Sequence, residues 1–515
     1  MGLEFGSTRI KAVLTDKWFA PIAFGSHTWE NKLQDSIWTY SYDDIWGGLR
    51  RCYAELSSNV SSKYGVSLKK IGAIGFSGMM HGYMAFDQDD RLLVPFRTWR
   101  NTITGRASEE LTKLFDFNIP QRWSIAHLYQ AILNGEEHVA RISYLTTLSG
   151  YIHWKLTGVK AVGVCEASGM FPIETSSGQF DKRMTGVFNE IINGKYAWRL
   201  EDIMPRVLQA GDSAGFLTKE GAGLLDPTGM LKPGIPVCPP EGDAGTGMVA
   251  TNSIAAHTGN ISAGTSIFAM LILEKELKGV YPEIDIATTP AGKPVAMVHC
   301  NNGSSDIDAW VSLFGELLDT CGVQTDKDKL YSLLFEKALE GEEDCSGLLS
   351  YNYFTGEPVT GLDEGRPLLV RKPDSRLTLS NFMRTQLFSS VGALRMGMDI
   401  LLGRESVKVG EITGHGGFFK SGSVYQKILA AALGIPVKVM HTAGEGGPWG
   451  MAILAAVMVN RQPGEALADY LKNKVFNHAE SATMEPDPSL AAAFDGFLRM
   501  YIKGLELERT AIRTL

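Results

Sequence analysis

The chain has 515 residues, too many for one compact core, and its 44% hydrophobic and 21% charged content excludes a disordered or fibrous protein. Its 49 basic and 57 acidic residues give a formal net charge of −8, which argues against broad nucleic-acid or anionic-membrane binding while permitting a local basic pocket. Neither an apolar run of about 18 residues nor a basic-then-apolar start is visible, so a cytoplasmic protein without a membrane span is expected. The cysteines, Cys52, Cys165, Cys238, Cys300, Cys321 and Cys345, have no metal-ligand spacing and read as reduced core thiols.

From the N-terminus, Glu4-Phe5-Gly6-Ser7-Thr8 runs into the largely apolar Ile10 to Leu14. This predicts a hairpin turn in which glycine permits φ > 0 and neighbouring amides and hydroxyls converge on an anion such as a phosphate. Taken alone, such a turn is usually just a hairpin. Only Gly2 and Leu3 separate Met1 from it, less than the usual strand of about five or six residues, so a shortened or misassigned N-terminus is expected. A helix is predicted near Tyr42 to Tyr64 and a buried strand over Ile71 to Phe76, an α/β order with parallel pairing. Ser77-Gly78-Met79-Met80-His81-Gly82 follows, placing His81 just past a strand end, where ligands collect in open α/β sheets. A lone histidine is more often structural. Thr98-Trp99-Arg100-Asn101-Thr102 carries groups suited to a hydroxyl-rich ligand and also passes as an ordinary polar loop.

Helical periodicity dominates Thr104 to about Leu156, and Leu156-Thr157-Gly158 ends one helix on a glycine stop. Residues 211 to 247 are rich in Gly and Pro, and the domain boundary is placed near 247 to 255, giving domains 1–250 and 251–515. Before it, Pro240-Glu241-Gly242-Asp243-Ala244-Gly245-Thr246-Gly247 sets Asp243 in a Gly-rich turn, either as a helix N-cap or as a general base oriented by amides at a helix N-terminus. After it, Ser262-Ala263-Gly264-Thr265-Ser266 runs into Ile267 to Leu273 and repeats the first turn motif, the mark of a duplicated architecture. Leu377 to Leu402 reads as a long helix. Thr413-Gly414-His415-Gly416-Gly417-Phe418-Phe419-Lys420-Ser421 follows a predicted strand over Val407 to Ile412, where missing side chains leave backbone for a flat ligand or simply make a tight turn. A helix bearing Val424, Ile428, Leu429 and Ala432 on one face stops at Gly434 before a strand over Val437 to Met440, and Ala443 to Gly450 opens the next helix, its glycines allowing close packing on the sheet.

In this order the segments resemble the FGGY family of carbohydrate kinases over essentially the whole chain. The Glu4–Thr8 turn is similar to the family's first phosphate motif and Ser262–Ser266 to its second; Gly242-Asp243 matches the catalytic Asp position and Thr413–Ser421 the adenosine motif. Tyr151-Ile152-His153-Trp154-Lys155-Leu156-Thr157-Gly158 and Ala167-Ser168-Gly169 match further landmarks. The resemblance implies an α/β fold of two ribonuclease-H-like domains, of the actin and sugar-kinase type, around a central cleft. It also implies magnesium-dependent transfer of the ATP γ-phosphate to a sugar hydroxyl. It assigns catalysis to Asp243, the phosphates to Gly6, Ser7, Thr8, Gly264 and Thr265, adenosine to Gly416, Gly417 and Lys420, and magnesium to Glu4. The sugar falls to Met80, His81, Asn101 and Asp243. Met80-His81-Gly82 is similar to the Met-His-Gly of xylulose kinases, so a ketopentose is the expected acceptor.

Two positions depart from the family pattern. Glu4 replaces the usual Asp, reaching one methylene farther toward a metal that usually retains waters. Trp99-Arg100-Asn101-Thr102-Ile103 stands where xylulose kinases carry a Trp-Asn-Asp-x-Arg run, and a changed polar contact redirects choice among stereoisomers. Ribulose, fuculose, gluconate and glycerol therefore remain alternative acceptors. An actin- or chaperone-like nucleotide switch is disfavoured by Met80-His81-Gly82 and Asp243, and a sugar sensor without catalysis has only Glu4 in its favour. A homodimer is the default soluble assembly.

Overall fold

A strand covered on both faces usually reads as continuously apolar; all four residues of Gly2–Phe5 are buried, with Glu4 the one polar exception in the run. In the computed structural model, which describes residues 1–440 and 446–515, this strand lies at the middle of a five-stranded sheet. Across that sheet the order is Glu241–Gly242, Gly75–Gly78, Gly2–Phe5, Arg9–Thr15 and Pro21–Thr28. The first three run parallel, in a register that sets Gly78 opposite both Phe5 and Gly242, so their carboxyl ends finish side by side. The predicted strand over Ile71–Phe76 starts later and runs through Ser77 and Gly78, because its ladder begins opposite Gly2, at Gly75; Ile74 instead bridges Val237.

By contact density the chain divides into two compact units. One comprises Met1–Ile254, Ile286–Val295 and Glu445–His478, and the other Ala255–Asp285, Ala296–Gly444 and Ala479–Leu515. In the first unit the predicted helix forms over Tyr42–Tyr64; it begins on Ser41, whose hydroxyl accepts from the Asp44 amide, and ends on Gly65 in the left-handed region. The helix Leu148–Thr157 likewise stops at Gly158. The helix Gly446–Asn460 packs on Gly2–Phe5 and on the helix Asp243–Ala250. Of the predicted segment Ala443–Gly450, residues Ala443, Gly444 and Glu445 lie outside the described residues.

The second unit is built on a seven-stranded sheet. Within it Thr258–Ala263 pairs antiparallel with Ile267–Ile272 and parallel with Glu411–His415, which in turn pairs parallel with Val437–Met440. The strand expected over Val407–Ile412 is displaced toward the C-terminus because its partner's Thr258 faces Glu411, so Thr413, Gly414 and His415 belong to the strand and the turn opens at Gly416. The predicted long helix spans Leu379–Asp399, capped by the Thr378 side chain, and continues as a wider π turn over Ile400–Arg404. The helix Val424–Leu433 ends on Gly434 as expected, but it is buried on nearly every side instead of one face. Cys321 departs from the core-thiol reading: it follows the helix Ser305–Thr320 and is exposed. No helix among the described residues is long and apolar enough to cross a membrane.

Candidate active site

Three parallel strands that end together expose their following residues along one edge, the usual ligand edge of such sheets. Here that edge carries the Gly6-Ser7-Thr8 turn after Gly2–Phe5, Met79 to Gly82 after Gly75–Gly78, and Asp243 after Glu241–Gly242. Asp243 is the first residue of the helix Asp243–Ala250; Gly242 occupies the cap, which removes the N-cap reading of Asp243. Its Oδ1 accepts from the Ala244 amide at 2.9 Å. The residue has an open side to solvent, yet the protein crowding around its carboxyl dominates and raises its pKa to about 6, against the lowering effect of the Met80 and Ala244 amides. A carboxylate near neutrality at a helix N-terminus can take up and release a proton.

Glu4 is 8% exposed and stands in register with Ser77. Burial first, with repulsion from Asp243 added, lifts its pKa to about 7 despite Lys11. Gly447 supplies the room it needs: a Cβ there would lie well under 3.0 Å from Glu4 Oε2. Among the described residues no cluster of three or more His, Cys, Asp or Glu is arranged to hold a metal by itself. One or two carboxylates completed by substrate phosphates is instead the donor set magnesium commonly uses, and two carboxylates that repel one another fit a shared cation.

Two acidic residues behind this edge escaped the sequence reading. Glu166 is fully buried, and neither carboxyl oxygen has a well-formed hydrogen bond. Its pKa is raised to about 8 by burial, partly offset by the hydroxyls of Thr147 and Ser149 nearby and reinforced by Asp243. Glu241 accepts from the Glu166 amide at 3.1 Å and is also pushed well up, chiefly by burial. The signal was an acid directly preceding each quoted motif, Ala167-Ser168-Gly169 and Gly242-Asp243. Because Glu166 stays neutral in the fold up to about pH 8 whereas a glutamate in the unfolded chain ionises near 4.5, unfolding releases a proton across that window. Its contribution to stability is therefore full below about 4.5 and lost as pH rises through about 8. Glu166→Gln should flatten this loss, which melting temperatures of the two proteins at pH 6 and 8.5 will read.

Met80 is buried, and His81 is half-buried with φ 73°, an unusual backbone for a non-glycine residue. The His81 ring lies parallel to Trp123, and its Nδ1 is 3.2 Å from the Gly169 carbonyl, so two expected landmarks meet. Asn101 is buried, and its side chain turns to backbone: Oδ1 accepts from the Trp38 amide, and Nδ2 donates to the Trp38 and Thr98 carbonyls, each at 2.9 Å. It braces its loop, while Trp99 and Arg100 present the exposed surface there.

In the second unit Gly264 and Thr265 form the turn between Thr258–Ala263 and Ile267–Ile272. The Gly303 amide donates to the Thr265 carbonyl at 2.7 Å and the Ser304 amide to that of Gly264 at 2.9 Å. That bracing loop is itself held by Glu357, whose Oε2 accepts from the Asn302 amide and side chain. Gly416, at φ 101°, passes so close to the Ala263 carbonyl that a Cβ would overlap it. Gly417 and Lys420 are exposed at either end of the short turn Gly417–Lys420. The Gly264-Thr265 turn and the Gly416 to Lys420 segment are thus neighbours within this unit.

The model of the FGGY carbohydrate kinase N-terminal domain matches residues 1–250 and that of the C-terminal domain residues 259–459. A xylulose kinase of Haemophilus influenzae is 24% identical over 403 residues, 73% of this chain and 76% of that protein. A xylulose kinase of Lactococcus lactis is 20% identical over 513 residues, 97% of this chain and 95% of its own length. The solved structure of a xyloylose kinase from Brucella ovis superposes with a TM-score of 0.79 at 18% identity, covering 98% of both chains, a likeness of fold. The chain belongs to the FGGY family of carbohydrate kinases, phosphotransferases that act on an alcohol group.

Proposed function

We propose that the protein is an ATP-dependent pentulose kinase that phosphorylates a xylulose-type ketopentose in the cytoplasm. The observation that carries this reading is Asp243 on the same strand-end edge as Met80-His81-Gly82, with its proton affinity raised toward neutrality. The xylulose kinases among its relatives support the acceptor class. Asp243 takes the proton from the acceptor hydroxyl as that oxygen bonds to the γ-phosphorus, while the bond from phosphorus to the β–γ bridging oxygen breaks and ADP departs. Ser7 and Thr8 in one unit, and Gly264 and Thr265 in the other, each offer a phosphate turn; Gly416, Gly417 and Lys420 border the adenosine. Met80 and His81 line the sugar site and Asn101 holds its loop. Glu4, with Asp243 beside it, would hold magnesium through water, and bound magnesium supplies neutralisation of phosphoryl charge.

The test is ATP consumption against ketopentoses, ketohexoses, polyols and sugar acids. Turnover is expected with a ketopentose, xylulose foremost. Exclusive use of a polyol or sugar acid would overturn the acceptor assignment, and ATP consumption indifferent to every sugar would overturn the kinase reading.

A further inference from the structure

The carbonyls of the first phosphate turn are all engaged by two aromatic residues outside the quoted motifs. Trp29 Nε1 donates to the Gly6 carbonyl at 2.7 Å, the Tyr40 hydroxyl to that of Ser7 at 2.6 Å, and the Trp29 amide to that of Thr8 at 3.1 Å. The two rings stack with centroids 4.0 Å apart and planes 23° apart, and Tyr40 is only 2% exposed. Burial raises the phenol's pKa to about 12, so it remains a donor at any working pH. A carbonyl swung toward a bound phosphate would repel it, whereas a pinned one leaves the Ser7 and Thr8 amides for the anion; the Gly6 amide closes the hairpin on the Arg9 carbonyl at 3.0 Å.

Tyr40 also touches the sugar side. Its ring lies against Phe96, and Phe96 closes over Gly82, where a Cβ would stand 2.8 Å from the Phe96 ring. The strand that leads into Tyr40, Ile37–Thr39, is the one Asn101 and Thr98 grip through the Trp38 backbone. Asn31 adds a bond to the Thr98 hydroxyl at 3.1 Å. One buried phenol thus joins the Ser7 carbonyl to both segments assigned to the acceptor.

We propose that Tyr40, backed by Trp29, is a positioning residue that fixes the first phosphate turn for nucleotide phosphates and ties its geometry to the acceptor loop. The proposal rests on the kinase reading above. Tyr40→Phe keeps the ring, the stacking and the packing and removes one hydroxyl.

Calorimetric titration of the full chain with ATP and with adenosine decides it. Tyr40→Phe should weaken ATP by about 3- to 10-fold, the usual net worth of one hydrogen bond, and leave adenosine unchanged. Equal weakening of both ligands, or of neither, overturns the proposal. Asn101→Ala should produce the same ATP-selective loss, and the double variant should lose no more than the worse single variant; additive losses overturn the link to the acceptor loop. These titrations need no acceptor, so a selective ATP loss together with a silent sugar panel would overturn the pentulose reading and uphold Tyr40. Turnover of a ketopentose with identical ATP affinity in Tyr40→Phe would do the reverse.

Discussion

Replacing Asp243 by Asn should lower kcat for sugar phosphorylation by about 10²- to 10⁴-fold, the span that a positioned general base contributes, while ATP still binds. The amide is the same size as the carboxyl and keeps an oxygen for the Ala244 amide, so the start of the helix Asp243–Ala250 is preserved. What is lost is the group that accepts the hydroxyl proton. In the parent enzyme kcat/KM should rise with pH through about 6 as that group ionises, and the variant's residual rate should lack this step. Removing the charge also relieves its repulsion of Glu4, whose pKa should fall. A folded variant with parental turnover would sink the assignment of Asp243.

Gly450→Ala should destabilise the protein by about 1–3 kcal/mol, the usual cost of overpacking, and depress activity beyond the loss of folded protein. A Cβ at Gly450 would overlap the Thr246 carbonyl and approach the Ala250 amide at 3.3 Å. Both obstacles are backbone, so no side chain can rotate aside. Alanine's helix propensity advantage over glycine, about 1 kcal/mol, opposes the effect but is smaller than the overlap. The two helices must separate, and the one displaced from Gly446–Asn460 begins with Asp243. Gly223→Ala is the internal control: that helical position has open space around it and should be neutral or slightly stabilised. Melting curves of both variants, with kcat per folded molecule, provide the check; a Gly450→Ala protein as stable and active as Gly223→Ala would overturn the packing argument.

The turns were the most legible part of the molecule, because glycine beside Ser or Thr between apolar runs marks a chain reversal, and both hairpins form at the stated residues, although neither Gly6 nor Gly264 takes the positive φ expected of it. The helix Tyr42–Tyr64 was equally local, carrying its cap in Ser41 and its stop in Gly65. Strand starts were not: Gly75 and Glu411 are set by where Gly2 and Thr258 begin, information held in distant partners. Glu166 and Glu241 were missed for a related reason. Nothing in their immediate sequence says that a glutamate will be fully enclosed, and only the assembled sheet and the Val164–Ser168 helix bring them together. Asn101 was singled out for its hydrogen-bonding capacity, which the backbone of Trp38 takes up.

The indole of Trp449 donates to the carbonyl of Phe19 across 430 residues of chain, and the helix that carries Trp449 covers the strand Gly2–Phe5. A ribosome therefore releases the first strand long before the segment that seals it has been made. Until residues 446–460 emerge, one face of the N-terminal sheet stays uncovered, and the interval exposes apolar surface to wrong partners. Completion of the first unit is consequently one of the last events of synthesis, although its sheet begins at the second residue.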